Sequence, residues 1–464
     1  MNKKTCFKVI NLFIISAFIL TAGFGCKLIN QETQKAIKPI TLTYWRVYDD
    51  EDAFAGIINQ YRVAHPNIQI DYRKFRAEEY ESELLNALAE DQGPDLFSVH
   101  VGWLKKYQSK ISPMPEQITM AYQTVKGSIK KETVIELKTF ATPSLREIKD
   151  TFADAVAKDA IIDNKVYGLP LSLDNLVMFY NKDILNQADI SQVPDNWSDF
   201  QTAVEKITKI DSDNNIILAG AALGTGKNVD KSFDILSVLM MQNGAVMTGA
   251  NGAPTFFSGN AADNQNKGQI ALQFYTDFAN PLKTVYSWNT KMPYSFEAFL
   301  SGKVGFTFGY NYQLPIIRSQ APKLNFAVAP LPQILGNDKK NYASYFLETV
   351  SNKSAHPNEA WDFLLFMNKK DSQGNFPVKL FVNQTKRPTA IRELISGQLE
   401  NEDLHAPASQ TLTAGDWYRG YNYTEAQNIF SEMIDNYLNA VDERSAKNVI
   451  SVAMEKLIQT MNSK

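Results

Sequence analysis

"YGLPLSLDNLVMFYNKDIL", Tyr167 to Leu185, is the stretch on which the fold turns. It is apolar enough for a buried strand, yet Asp174 and Asn175 stand near its middle. A charge buried without a partner is costly, so the pair should meet a solvated cavity, a ligand or a counter-charge.

The flanks show what surrounds it. "ITLTYW" from Ile40 alternates as a strand, and "DEDAFAGIINQYRVAHP" follows as a helix with Phe54, Ile57, Ile58 and Tyr61 on one face and Pro66 as its stop. "IQIDYR" is a second strand, "AEEYESELLNALAEDQGP" a second helix and "DLFSVH" a third strand. Strand–helix alternation with short connections predicts a parallel, doubly wound α/β sheet. Residues 105–165 break the rhythm; lysine-rich and punctuated by Pro113, Pro115 and Pro143, they read as a mostly helical insertion. Beyond the opening stretch the alternation resumes. "PDNWSDFQTAVEKIT" is a helix capped by Asn196, "VGFTFGY" and "NFAVAPLP" are strands, and "HPNEAWDFLLFM" is a helix. Two amphipathic helices end the chain.

A length of 464 residues calls for two or more domains, and 44% apolar with 21% charged residues is normal for a folded protein. Lys3, Lys4 and Lys8 precede the apolar "VINLFIISAFIL" (Val9–Leu20), the charge and order of a secretory signal over residues 1–25. Without those residues the body carries 44 basic against 50 acidic side chains, which offers no phosphate-neutralising surface and sets nucleic acid aside. The ending "AGFGC" resembles a bacterial lipobox with Cys26 as the lipidated residue, although Gly23 and Phe24 depart from its usual pattern. Ordinary cleavage and an uncleaved anchor are the other two readings. Cys26 is then the single cysteine of the body, so no internal disulfide can form. Residues 26–38 read as a polar tether spanning roughly 20 Å as flexible coil. The expected location is outside the cytoplasm, either held at the outer face of the membrane or in a periplasm.

The order of "LTYW", "HPNIQIDY", "EYESELLNALAEDQGPDLF", "YGLP…NLVMFYNKDIL", "VPDNWSDF", "LMMQNGAVM", "FEAFLSGKVGFTFGYNYQ" and "SNKSAHPNEAWDFLLFM" resembles the extracellular solute-binding proteins of ABC importers, family 1, the group that includes maltose-binding protein. The matching pieces run from Ile40 to about Ile458. The resemblance implies a two-lobed, periplasmic-binding-protein-like fold of type II, with three crossing segments and a ligand between the lobes. "LPLSLDN" is then the first crossing, placing Asp174 and Asn175 at the hinge. The second falls near Tyr342–Glu348 and the third near Thr385–Ile391. The lobes become 39–171 with 347–388, and 172–346 with 389–464. The implied function is uptake of a sugar or oligosaccharide through an ABC permease, by a monomer, without cofactor, metal or catalysis.

Ligands in such sheets sit beyond the carboxyl ends of strands, which nominates residues just after them. Trp45, Arg46 and Asp49 follow the first strand, and His100 and Trp103 follow "PDLFS". Tyr310, Asn311 and Tyr312 follow "VGFTF", where the family resemblance implies an aromatic platform for a sugar ring. Sugars present apolar C–H faces and polar rims, which suits aromatic planes combined with carboxylates or amides. Trp417 and Tyr418 could cap the cleft from "AGDWYRGY", and Arg387 could pair with Asp174 or brace the hinge. Each has a plainer reading as a core, capping or surface residue.

Other signals are weaker. "ALGTGKN" lacks the glycine at 221 and the hydroxyl residue after Lys227 that a phosphate loop needs. "DSDNNIILAGAA" has Ile216 and Ala222 where a calcium loop needs glycine and glutamate. Four scattered histidines make no metal cluster. An exported hydrolase using an acid pair, and a sensor or adhesin on the same scaffold, stand as the alternative functions.

Overall fold

The computed structural model describes residues 38–126, 132–250, 252–257 and 262–462. The leader, Cys26 and nearly all of the tether lie outside the described residues. The chain forms two lobes, each with a five-stranded sheet and its own apolar core.

The first sheet runs Ile68–Phe75, Ile40–Val47, Leu96–His100, Phe346–Ser351, Ile111–Ser112. The first three strands are parallel, joined by the helices Asp52–Ala64 and Ala77–Ala89, because parallel neighbours need crossover connections. Phe54, Ile57 and Tyr61 face the sheet as their spacing requires, with Ile58 only half-buried. Phe346–Ser351 then pairs antiparallel to Leu96–His100, so the sheet is mixed rather than wholly parallel.

The second sheet runs Lys209–Ile210, Ile216–Ala221, Val304–Gly309, Val177–Asn181, Phe326–Ala329. The opening stretch supplies Val177–Asn181, antiparallel to both neighbours and almost wholly buried. Asn181 ends it: its Oδ1 accepts the N–H groups of Asp183 and Ile184 and starts the helix Lys182–Gln187. Asn196 caps Trp197–Ile207 in the same way, through the Asp199 N–H at 3.0 Å. The two final helices, Tyr423–Leu438 and Glu443–Thr460, pack into the second core.

Residues 105–165 are not a helical insertion. Their largest feature is an antiparallel ribbon, Gln117–Lys126 with Glu132–Ala141, and the helices Leu145–Thr151 and Asp154–Ala160 are short. Ile118 and Met120 are buried and Tyr122 reaches Asp362 Oδ1 at 3.4 Å, while Thr119 and Thr139 meet on the exposed face. That period of two is present in "QITMAY"; the lysines and prolines around it obscured it.

Leu169, Leu171 and Leu173 belong to the first core and Leu176 to the second, so the chain changes lobes at Asp174–Asn175. It returns between Tyr342 and Ala343. The third passage follows Ile391 and reaches the second core at Ala406, later in the chain than Thr385–Ile391. That earlier segment stays with the first lobe because Pro388 and Ala390 accept the Leu173 and Ala153 N–H groups. Short segments at the junction of the lobes also bond to one another. Asn341–Tyr342 pairs in parallel with Ala414–Gly415, and Asn175 bridges Ala343. The Leu176 N–H donates to Tyr342 O and the Ala343 N–H to Gly415 O. No helix among the described residues is long and apolar enough to cross a membrane.

Candidate functional site

A chain of buried charges leads from the first sheet to the hinge. Glu348 Oε2 accepts the hydroxyls of Tyr44 and Ser98, each at 2.7 Å, and its Oε1 lies 3.1 Å from Arg46 Nε. Arg46 Nη1 is 3.4 Å from Asp49 Oδ2. Arg387 Nε donates to Asp49 Oδ1 at 3.1 Å, and its Nη1 donates to Asp174 Oδ2 at 2.7 Å. Burial alone would lower the pKa of both guanidiniums, but the facing carboxylates raise it, so both stay charged. Burial raises the Asp174 carboxyl above its usual range, and Arg387 pulls it back. Asp174 is 4% exposed, and its Oδ1 makes no hydrogen bond.

Asp174 and Arg387 form the floor of a cavity of about 140 Å³ between the two cores. Tyr48, His100 and Trp103 wall it from the first lobe, and Lys231, Asp234, Tyr310, Tyr312 and Tyr423 from the second. Its volume is below the usual range for ligand pockets because the lobes meet across it. Tyr48 stacks on Tyr312 with centroids 4.5 Å apart and planes at 15°. Gly102 lies flat against Tyr423, where a Cβ would come within 2.6 Å of two ring carbons. Wider grooves exist, one of about 650 Å³ confined to the second lobe and one of about 920 Å³ between Leu104 and Tyr421, but facing aromatic planes wall neither.

His100 is neutral. Its Nδ1 accepts the Gly102 N–H at 3.1 Å, so the proton sits on Nε2 and is donated to Ser344 Oγ at 2.9 Å. Burial pulls its pKa down to about 4, against the pull of Asp416. Asp234 behaves oppositely: burial pushes its carboxyl up to about 6, while Lys231 and the hydroxyls of Tyr310 (2.7 Å) and Tyr423 hold it down. The unfolded chain releases this proton near pH 3.8, so between pH 4 and 6 the native state holds one that the unfolded state lacks. Stability contributed by Asp234 is therefore lost as pH rises through about 6, by roughly 3 kcal/mol. Asp234→Asn is expected to flatten the pH dependence of urea unfolding across that window; parallel curves for variant and parent would contradict the assignment.

Six of the residues singled out in the sequence lie on the cavity wall: His100, Trp103, Asp174, Tyr310, Tyr312 and Arg387. Tyr310 is 1% exposed and lies parallel to Tyr312 with ring centroids 5.9 Å apart, while Tyr312 is half-buried and meets Tyr48. Arg46 and Asp49 lie one layer behind, inside the ion chain. Trp45 is turned away, since successive strand residues face opposite sides, and it packs on Phe75 and Arg73. Asn175 is occupied by Pro407 O and Gln410, and the Asn311 amide donates to Lys386 O and Asp403 O. Trp417 donates to Ser237 and stacks on Phe233, and Tyr418 bonds Thr460; both are core residues of the second lobe.

Tyr48, Lys231, Asp234 and Tyr423 were not picked out from the sequence. Asp234 carried the signal that marks Asp174, an acid inside an apolar run, here "SFDILSVLMM". Tyr48 carried none, because its left-handed backbone (φ 68°) is invisible in the sequence.

The sequence also matches a known family. Residues 49–374 match the model of the bacterial extracellular solute-binding protein family, and the chain belongs to that family. A putative binding protein of Brucella abortus is 24% identical over 233 residues, 50% of this chain and 53% of that protein. The arabinooligosaccharide-binding protein of Bacillus subtilis is 30% identical over 105 residues, 22% of each chain. This chain thus spans about half the length, or less, of these curated relatives. Among solved structures, the cyclic alpha-maltosyl-1,6-maltose binding protein from Arthrobacter globiformis aligns with a TM-score of 0.68 at 18% identity, over 91% of this chain and 99% of that one. The sugar-binding protein MalE from Xanthomonas citri aligns at 0.67 and 16%, over 90% and 98%. They share the two-lobed fold.

Proposed function

We propose that this protein is an exported receptor that binds a sugar or oligosaccharide between its lobes and hands it to an ABC permease. One observation carries the reading: tyrosine planes and a buried carboxylate with an unbonded oxygen, drawn from both lobes and the hinge, converge on a single cavity. Such a cavity suits a ring with apolar faces and a hydroxylated rim. The sugars named for similar proteins support the same ligand class. A ligand touching both lobes stabilises the closed form and shifts an existing equilibrium towards it. In this reading the body works as a monomer, held at the outer membrane face by lipid on Cys26.

A thermal-shift screen against mono- and oligosaccharides tests it, since a bound ligand raises the melting temperature by mass action. Saturable binding with the sugar recovered intact is the expected result. Conversion of the sugar would favour the hydrolase alternative, and no shift with any sugar would remove the carbohydrate reading. Lipid anchoring fails if the parent and Cys26→Ser partition equally into the membrane fraction.

A further inference from the structure

A second cluster of buried charges joins the lobes beside the groove between Leu104 and Tyr421, which Asp159 and Arg419 help to line. Arg419 and Asp416 flank Trp417 and Tyr418, which sit in the second core. The Arg419 guanidinium grips Asp416 by both oxygens, with Nη1 on Oδ2 at 2.8 Å and Nη2 on Oδ1 at 2.7 Å. The same Nη2 donates to Asp159 Oδ1. Asp159 lies on the helix Asp154–Ala160, whose Val156 and Ala160 enter the first core. One nitrogen thus touches an oxygen of each acid and brings carboxylates of different lobes side by side. Asp159 is 3% and Asp416 4% exposed. Tyr345 donates its hydroxyl to Asp159 Oδ2 at 2.7 Å, and Lys158 Nζ donates to Asp416 O at 3.2 Å. His100, Asp234, Tyr342, Tyr345 and Tyr423 also feel the charge of Asp416, and the exposed Lys105 lines the same groove.

We propose that Asp159 and Asp416 hold one proton between them when the lobes meet, so that closing the lobes takes up a proton and the junction is a pH-sensitive latch. Two ionised carboxylates this close and out of water repel, and one guanidinium offsets only one of them. A proton removes the second charge: a neutral Asp159 can donate to Asp416, and Arg419 then serves Asp416. Burial and the charge of Asp416 push the Asp159 carboxyl up to about 7, against the pull of Arg419 and Tyr345. Burial also presses on Asp416, but Arg419 outweighs it and holds that carboxyl below its usual range. With the lobes apart, Asp159 loses Asp416 and meets water, where a carboxyl of its kind ionises near 3.8. The closed form is therefore favoured fully below the open-form value, and that advantage is lost as pH rises through about 7. The latch acts on closure itself, whatever lies between the lobes.

Small-angle X-ray scattering of the ligand-free protein reads the spread of the lobes, and carbon-13 NMR of labelled aspartate carboxyls reads the proton. One linked proton lowers the closed-to-open ratio by up to about tenfold per pH unit between about pH 4 and 7, and no further above that. The parent is thus expected to be compact at about pH 5 and spread at about pH 8. Asp159→Asn is uncharged at every pH and can still donate to Asp416, so it should stay compact throughout. A carboxyl signal titrating near 7 in the parent should be missing from Asp159→Asn. In Asp416→Asn, which leaves Asp159 the guanidinium to itself, that signal should return to the ordinary carboxylate range. This second variant keeps the test open if the first folds poorly. Scattering that responds to pH alike in the parent and Asp159→Asn overturns the latch. So does the absence of any such signal near 7 that depends on Asp159 and Asp416. Either failure leaves the receptor reading standing.

Discussion

Arg387→Met is expected to cost about 3–5 kcal/mol of stability at neutral pH, the usual penalty for removing one partner from a buried ion pair. One guanidinium serves two carboxylates that are each less than one-tenth exposed, Asp49 and Asp174. Without it Asp174 keeps only the Ser172 hydroxyl, at 3.4 Å, and Asp49 keeps Arg46. Arg387→Lys should recover only part of the loss, because a single ammonium cannot reproduce a fork whose Nε and Nη1 point to different acids. The deficit should shrink as pH falls through the carboxylate range, since a protonated Asp174 no longer needs a counter-charge. Urea unfolding of the three proteins at neutral and acid pH measures all of this. A loss below about 1 kcal/mol would mean that the charges are solvated rather than buried.

Gly102→Leu should act on closure alone. A Cβ at this position meets the Tyr423 ring, at the border of the opposite lobe's core, so a bulky side chain pushes the lobes apart. Overpacking penalties of about 1–3 kcal/mol would then fall on the closed form only, weakening ligand binding by roughly 5- to 150-fold. The ligand-free melting temperature should hardly move. Combining Gly102→Leu with Tyr423→Ala should restore part of the affinity relative to Tyr423→Ala alone, which isolates the clash from the loss of the tyrosine itself. Undiminished binding by Gly102→Leu would show that ligand is held without this contact.

The sequence disclosed its order of strands and helices wherever one face of an element was buried, as in Asp52–Ala64 and Trp197–Ile207. The hinge came from the family resemblance; the interrupted apolar run marked only that Asp174 needs a partner, which Arg387 supplies. The sequence misled where composition hid a short period: burial alternates over Gln117–Met120, but the lysines and prolines around it suggested a mostly helical insertion. Side-chain direction was the other limit. Trp45 and Arg46 are neighbours, yet one faces the far side of the sheet, against Phe75 and Arg73, and the other the ion chain. Asn175, Trp417 and Tyr418 are polar or aromatic residues close to the cleft in sequence, but their hydrogen bonds are spent elsewhere. Which residues converge on Tyr312 depends on how two lobes meet, a relation between distant segments that no local pattern encodes.

Two of the passages between the lobes, at Asn175 and Ala343, are laced edge to edge and to Gly415 beside them. Laced in this way they act as a torsion bar rather than as separate strings. Such a strip twists readily along its length and resists being bent sideways or sheared, so the lobes inherit one soft rotation and lose the others. In the proposed receptor, reopening would then retrace the path of closing and bring the two faces of the cleft back into register.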